Sequence, residues 1–480
     1  MDNSPRKEKL DRKQDISYSA NDRPAIYGGV RFVALAMIAS FLILNLSCRT
    51  SATSAFENSD ANTFQITKNR AAIDSAKAAI EQHRKGEIRI KVVDRNGRPV
   101  SDAHLEIRQI SHDFKFGCYF KIDDLDPRKL PDYERHFSGL FNYAVIGTYW
   151  DATENRRGEE NWTWFDRETE LAQRLGLRMQ AAPILWGTNK YGTPAWLPRD
   201  KKDLAAALER RVKAVVTRNE TVTDWEIVNE PLARKKDTFA SLGTDEYISA
   251  AFKTAQQAAP NGRRLINEYG VFGSLAEHNY NRDRYLDLVQ RLLASGVPID
   301  VIGIQAHANG EWFEPANVAE QLERYSSLGK PIQITEFSAQ TRDYYDRRSA
   351  QPISGNYRDG SWDADKQAEF YREFYTVAFG NANVEAITTW GLDDERAWLP
   401  GIGLIGENGE PKPAYRELER LINSDWKTNT EAITDNDGRV AISGFFGKYE
   451  VTATNKAQRK VTARFALSKD NPNNWIVRVA

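Results

Sequence analysis

From residue 114 to residue 390 the chain alternates short, apolar, β-prone runs with longer stretches whose apolar residues recur at helical spacing. This alternation restricts the fold more than any other feature of the sequence. The strand-like runs cover 114–120, 143–148, 178–186, 222–229, 264–268, 301–307, 332–336 and 384–390. Helical periodicity marks 165–175, 204–216, 244–258, 283–295, 318–328 and 365–379 between them. Repeated strand-then-helix units imply parallel strands, because each helix returns the chain to the edge where the last strand began. Eight such strands predict a (β/α)8 barrel over 113–424. In that fold the reacting groups gather at the C-terminal ends of the strands, so residues at strand exits carry the functional information.

Two exits carry a carboxylate. Residues 223–231 read Thr-Asp-Trp-Glu-Ile-Val-Asn-Glu-Pro, an apolar run that stops abruptly at Asn229-Glu230. Residues 332–337 read Ile-Gln-Ile-Thr-Glu-Phe and place Glu336 in the same way. A barrel can bring the exits of its fourth and seventh strands to opposite sides of one cleft. Two carboxyl groups about 5–5.5 Å apart support retaining glycoside hydrolysis, one attacking the anomeric carbon and the other moving the proton. On residue type alone the pair stays ambiguous, because strand-end acids also bind metals or cap helices.

The flanks differ from the repeat. Residues 1–32 are polar and basic, 33–44 are almost wholly apolar, and Cys48 follows. About a dozen apolar residues are too few for a typical membrane span but suit the core of a signal peptide. Cys48 resembles the lipidated cysteine of a bacterial lipoprotein signal; cleavage after Thr53-Ser54-Ala55 or an uncleaved anchor are the alternatives. Export is expected in the first two cases, with anchoring through Cys48 in the first. Residues 1–48 are therefore assigned to targeting and 49–68 to a linker. A helix is expected over 70–83, ended by Gly86. Ile88, Ile90 and Val92, then Ala103, Leu105 and Ile107, alternate with polar residues around a turn at 94–97, a hairpin pattern that closes a small module over 69–112. Residues 425–480 read as a second, β-sandwich-like module with strands near 438–442, 447–452 and 475–479.

Composition narrows the function classes. The formal net charge is −1 with both signs interspersed, so the chain lacks the basic face of a nucleic-acid binder. Two cysteines far apart make no disulfide framework, and Cys118 reads as a core thiol. No His/Cys cluster has metal-ligand spacing and no Gly-rich loop cradles phosphate, so neither a metal nor another cofactor is expected.

Several ordered motifs across most of residues 114–420 resemble glycoside hydrolase family 10, whose best-known members are endo-β-1,4-xylanases. Trp225-Glu226-Ile227-Val228-Asn229-Glu230 resembles the family's acid/base motif, and Ile334-Thr335-Glu336 its nucleophile strand. Ile266-Asn267-Glu268-Tyr269 is similar to the fifth-strand motif, and residues 298–307, ending Gln305-Ala306-His307, to the sixth. Thr389-Trp390-Gly391 with Trp398, Gly403-Leu404-Ile405 and residues 411–415 resemble the eighth strand and the closing segment. The resemblance implies Glu336 as nucleophile and Glu230 as acid/base, with Asn229 donating to the sugar 2-hydroxyl. It also implies His307 orienting Glu336, Gln305 supporting Glu230, and Trp390 and Trp398 forming floor and wall beneath the reacting sugar. Trp186 is a further candidate wall, with core packing as the alternative.

The chain departs from the family at two strands. The usual second-strand motif carries Glu-Asn and a Lys before Trp; here 142–150 is shorter and Tyr149 stands at the Lys position. The usual third strand reads Gly-His-Thr-Leu-Val-Trp-His, whereas Ala181-Ala182-Pro183-Ile184-Leu185-Trp186-Gly187 lacks both histidines. Loss of buried partners for sugar hydroxyls changes discrimination strongly. The expected activity is therefore retaining hydrolysis of a β-linked polysaccharide, xylan first, by a monomer; the same mechanism on another β-glycan and a non-catalytic carbohydrate-binding barrel are the alternatives. Residues 340–362, with Tyr344, Tyr345, Tyr357 and Trp362, are expected to form a lid, a subsite wall or a surface insertion.

Overall fold

The computed structural model describes residues 47–188, 192–232, 237–273, 279–308, 311–341, 362–470 and 473–479. The chain divides into two units, Met1–Thr67 and Lys68–Ala480. The apolar run at 33–44 lies outside the described residues. Residues 49–68, expected to be a linker, are helical, because the helix that was expected from Arg70 begins at Ser47 and runs to His83. No Gly or Pro interrupts 47–83, so nothing local stops the helix. Near its end Ala76 and Ile80 are buried, and the Ala76 backbone lies against Gly380, where a Cβ would come within 2.7 Å of the Ala76 carbonyl oxygen.

Eight parallel strands close into the barrel. In chain order they are Lys115–Tyr119, Tyr143–Gly147, Arg178–Ala182, Asp224–Asn229, Arg263–Glu268, Val301–Ile304, Ile332–Ala339 and Val384–Thr389. Each pairs with its sequence neighbour, and strand eight pairs with strand one to close the ring. Two short extensions, Leu185–Trp186 and His307–Ala308, prolong the rim after strands three and six. Helices occupy the expected intervals, with Leu130–Leu140 after strand one and Pro413–Arg420 after strand eight. Asp200 and Asp363 cap two of the helices by accepting backbone N–H groups. Cys118 is fully buried, and desolvation pushes its thiol pKa up.

The N-terminal end of the barrel is sealed by charge. Lys115, which opens strand one, bonds to Asp224 at the start of strand four and to Glu385 at 3.2 Å. Tyr143 donates to Asp224 at 2.7 Å, and Gln333 reaches the same carboxylate at 3.0 Å.

The terminal β-strands do not fold as a separate hairpin and a separate module. Lys85–Val93 pairs antiparallel with Arg439–Phe445 and parallel with Asn474–Arg478. His104–His112 instead joins a second sheet, between Asn429–Ile433 and Gly447–Thr454, with Lys460–Leu467 at its edge. The alternation in 88–92 and 103–107 reports one buried face per strand, not mutual pairing: Ile88, Ile90, Leu105, Ile107, Val451 and Val477 share one core between the two sheets. Gly86 does not end the helix. It lies in the first strand opposite Gly444, where a Cβ would come within 2.8 Å of the Phe446 ring.

Candidate active site

Strand four delivers Asn229 and Glu230 to the rim. The backbone N–H of Glu230 donates to the Asn267 carbonyl at 2.9 Å, and Glu230 sits at φ +51°, a left-handed conformation that costs a non-glycine residue on the order of 1–3 kcal/mol. That turn takes the side chain out of the strand's alternation. Its Oε1 accepts from Gln305 Nε2 at 3.0 Å and its Oε2 from Trp186 Nε1 at 3.0 Å.

Glu336, within strand seven, is held in a different way. Its Oε1 accepts from Asn267 Nδ2 at 2.9 Å, and its Oε2 lies 3.1 Å from His307 Nε2. His307 Nδ1 is 2.8 Å from Ser338 Oγ, so a hydroxyl donating there leaves the ring proton on Nε2, facing the carboxylate. The two glutamates are linked through Asn229, whose Oδ1 accepts from Gln305 Nε2 and Asn267 Nδ2, each at 3.2 Å. With both donors on its oxygen, the Asn229 amide turns its NH2 away from them. Thr335 Oγ1 donates to Asn267 Oδ1 at 2.8 Å and fixes the bridging amide.

Two further carboxyls lie beneath this layer. Glu226 is buried in strand four, and burial followed by the nearby Glu336 charge pushes its pKa well up. Glu268, fully buried at the end of strand five, is also raised, first by burial and then by Glu230. It accepts from the Leu232 N–H at 2.9 Å and Asn281 Nδ2 at 3.1 Å, tying down the loop that leaves Glu230.

Aromatic side chains occupy the exits of strands eight, one, two and three. Trp390 stacks on Tyr119 with centroids 4.3 Å apart. Tyr149 lies 6.2 Å from the Trp186 ring. His307 is flanked by Trp398 at 5.0 Å and Trp390 at 6.5 Å. The Trp398 Nε1 is buried without a hydrogen-bond partner.

The structure thus brings Glu230, Glu336, Asn229, Gln305, His307 and Trp186 into one hydrogen-bonded set, with Trp390, Trp398 and Tyr149 beside it. Trp186 donates to Glu230, a role beyond the wall or core packing expected of it. The bridging Asn267, the buried Glu226 and the rim residue Tyr119 were given no role from sequence; a polar residue inside an otherwise apolar strand was the available signal for the first two. Residues 342–361 of the expected lid lie outside the described residues. Trp362 is buried, 5.3 Å from the Trp312 ring, which places it in the core.

A closed (β/α)8 barrel with two differently supported glutamates at the exits of strands four and seven defines a glycoside hydrolase. The model of Glycosyl hydrolase family 10 matches residues 108–420, and the chain belongs to that family. It is 28% identical over 319 residues to endo-1,4-beta-xylanase B of Thermotoga neapolitana, covering 62% of this chain and 86% of that protein. It is 26% identical over 404 residues to anti-sigma-I factor RsgI6 of Acetivibrio thermocellus, covering 83% of this chain and 48% of that one. Among solved structures, xylanase 10B of Thermotoga petrophila RKU-1 in complex with xylobiose aligns with a TM-score of 0.56 at 23% identity, over 65% of this chain and 95% of the other.

Proposed function

We propose that this chain cleaves β-1,4-linked xylan as a retaining endo-glycosidase. Glu336 attacks the anomeric carbon while the glycosidic C–O bond breaks, and Glu230 gives its proton to the departing oxygen. Glu230 then takes a proton from water, whose oxygen displaces Glu336 and releases the sugar. His307 presents an N–H to Glu336, and the outward NH2 of Asn229 faces the place of the sugar 2-hydroxyl. The observation that carries this reading is the unbroken bridge Glu230–Gln305–Asn229–Asn267–Glu336, which holds both carboxylates across one cleft. The xylanases among the relatives support xylan as the polymer. The basic stretch, apolar run and Cys48 support an exported enzyme, anchored by lipid at the cell surface or released.

The test is a panel of xylan, mixed-linkage glucan, mannan and algal β-glycan, with the anomer of the first-formed product read by NMR. Hydrolysis of xylan with retention is expected, together with its loss in Glu336→Ala. Glu230→Ala should lose activity on polymer by about 10²–10⁴-fold but keep most of it on an aryl glycoside whose leaving group needs no proton. An inverted product refutes the nucleophile role. Activity on another polymer without xylan cleavage moves the specificity and leaves the mechanism, an outcome favoured by the tyrosines at the strand-one and strand-two exits. A chain that binds glycans but hydrolyses none is a binding barrel.

A further inference from the structure

Strand three ends in the short extension Leu185–Trp186, which pairs with Val228 and Asn229 beside the strand-four exit. The next residue, Gly187, is gripped from the loop that follows Glu230. The Thr238 backbone N–H donates to the Gly187 carbonyl at 2.9 Å, and Thr238 Oγ1 donates to the same oxygen at 2.8 Å. What calls for glycine at 187 is space, because a Cβ there would lie 1.8 Å from Asp237 Oδ1. Gly187 takes the place of the histidine that ends the usual third-strand motif, and the Asp237 carboxylate fills the room so made. That carboxylate is tied at both oxygens: Oδ1 accepts from the Phe239 N–H at 2.8 Å and Oδ2 from the Tyr247 hydroxyl at 3.2 Å. Phe239 and Tyr247 are buried in the main core, so the hook is firmly rooted. Gly192 presses on the same stretch, since a Cβ there would come within 2.1 Å of the Trp186 carbonyl oxygen.

We propose, resting on the glycosidase reading above, that Asp237 and Thr238 are positioning residues for proton transfer, which hold the Trp186 indole on Glu230 by gripping Gly187. The indole has one N–H, and it donates to Glu230 Oε2 at 3.0 Å. Its direction follows the backbone at 186–187, which the pairing with strand four fixes on one side and the hook on the other. Glu230 sits at φ +51° just past strand four, where side-chain donors aim its carboxyl, Gln305 at one oxygen and Trp186 at the other. Loss of the indole donor lets the carboxyl turn about its last bond, away from the line to the leaving oxygen. Glu336 keeps its own donors, Asn267 and His307. The hook therefore bears on the gift of the proton by Glu230 and not on the attack by Glu336.

The test measures kcat/KM, which reports the first bond-breaking step, on two substrates. Xylotetraose has a leaving sugar that needs a proton; 2,4-dinitrophenyl β-xylobioside has a leaving group that does not. Gly187→Ala, which forces a Cβ onto Asp237, is expected to lower the value on xylotetraose by about 10–100-fold. Thr238→Val removes one of the two donors to Gly187 and should lower it by about 3–10-fold, whereas Thr238→Ser keeps the hydroxyl and should restore it. On the dinitrophenyl glycoside, which also counts the folded enzyme, all three variants should stay within about twofold of native. In a Trp186→Phe background, which lacks the indole N–H, neither Gly187→Ala nor Thr238→Val should lower the xylotetraose value further, because both act through that bond. Equal losses on the two substrates, losses that multiply in the Trp186→Phe background, or a Gly187→Ala enzyme that matches native on xylotetraose each overturn the inference and leave the glycosidase reading intact. A native enzyme inert on both substrates overturns the xylanase reading and the inference with it.

Discussion

Replacing Glu226 by glutamine tests whether a neutral acid underlies the reacting pair. Glu226 is 2% exposed, lies 3.5 Å from Gln180 Nε2, and is raised by burial and by the Glu336 charge. In the unfolded chain a glutamate loses its proton near pH ~4.3, whereas the native protein keeps it well above that pH. The native state therefore binds the extra proton, and stability falls as pH rises above the unfolded value. Each pH unit over which the native form holds that proton costs about 1 kcal/mol. The glutamine of the variant cannot titrate, and its amide has the same shape and a donor in the same place. In thermal unfolding of native protein and Glu226→Gln from about pH 5 to 7, the difference in Tm should grow in favour of the variant by about 1–2 °C per pH unit for a chain of this size. All other groups titrate alike in both proteins, so the slope isolates Glu226. Glu226→Ala, which leaves a cavity and a stranded amide partner, should instead lose about 3 kcal/mol at every pH. A Tm difference that does not change with pH would mean that Glu226 is ionised when folded, and the account of the site's charge would be wrong.

Two other substitutions separate stability from chemistry. Lys115→Met strands Asp224, whose side chain is 1% exposed, and should cost about 3–5 kcal/mol in urea unfolding while leaving KM unchanged at the opposite end of the barrel. Burial raises the Asp224 pKa, but Lys115 and Arg263 overcome it and hold the carboxyl below its usual range; the stabilisation is present at neutral pH and is lost as the solution is acidified through that range. Asn267→Ala removes the donor shared by Glu336 and Asn229, and kcat on an aryl glycoside should drop by about 10²-fold with little change in KM, the expected effect of misplacing two reacting groups by a fraction of an ångström.

The barrel was legible because its strands are buried on both faces and appear as unbroken apolar runs, while its helices bury one stripe each. Glu230 and Glu336 were legible because each ends or interrupts such a run. Pairing partners were not. Ile88, Ile90 and Val92 show that a strand has a buried face, but their partners at 439–445 and 474–478 lie at the other end of the chain, where no local pattern could name them. Tyr119 was hidden for a related reason. In Phe114-Lys115-Phe116-Gly117-Cys118-Tyr119-Phe120 an aromatic residue at a strand end looks like core, and only closure of the ring against strand eight turns it to face Trp390.

The same closure divides the rim by task. The exits of strands four to seven supply amides, an imidazole and the two glutamates, and each of those glutamate oxygens has a neighbouring donor. Catalysis of this kind depends on the placing of charge, so a change of one residue in this half disturbs several bonds together. The exits of strands eight, one, two and three supply rings and phenols whose contacts are mostly pairwise and apolar, and such contacts accept replacement more readily. The departures from the family pattern fall in that second half, at Tyr149 and along 181–187. A barrel built in this way can exchange one sugar for another by altering the aromatic arc while the bridge from Glu230 to Glu336 stays as it is.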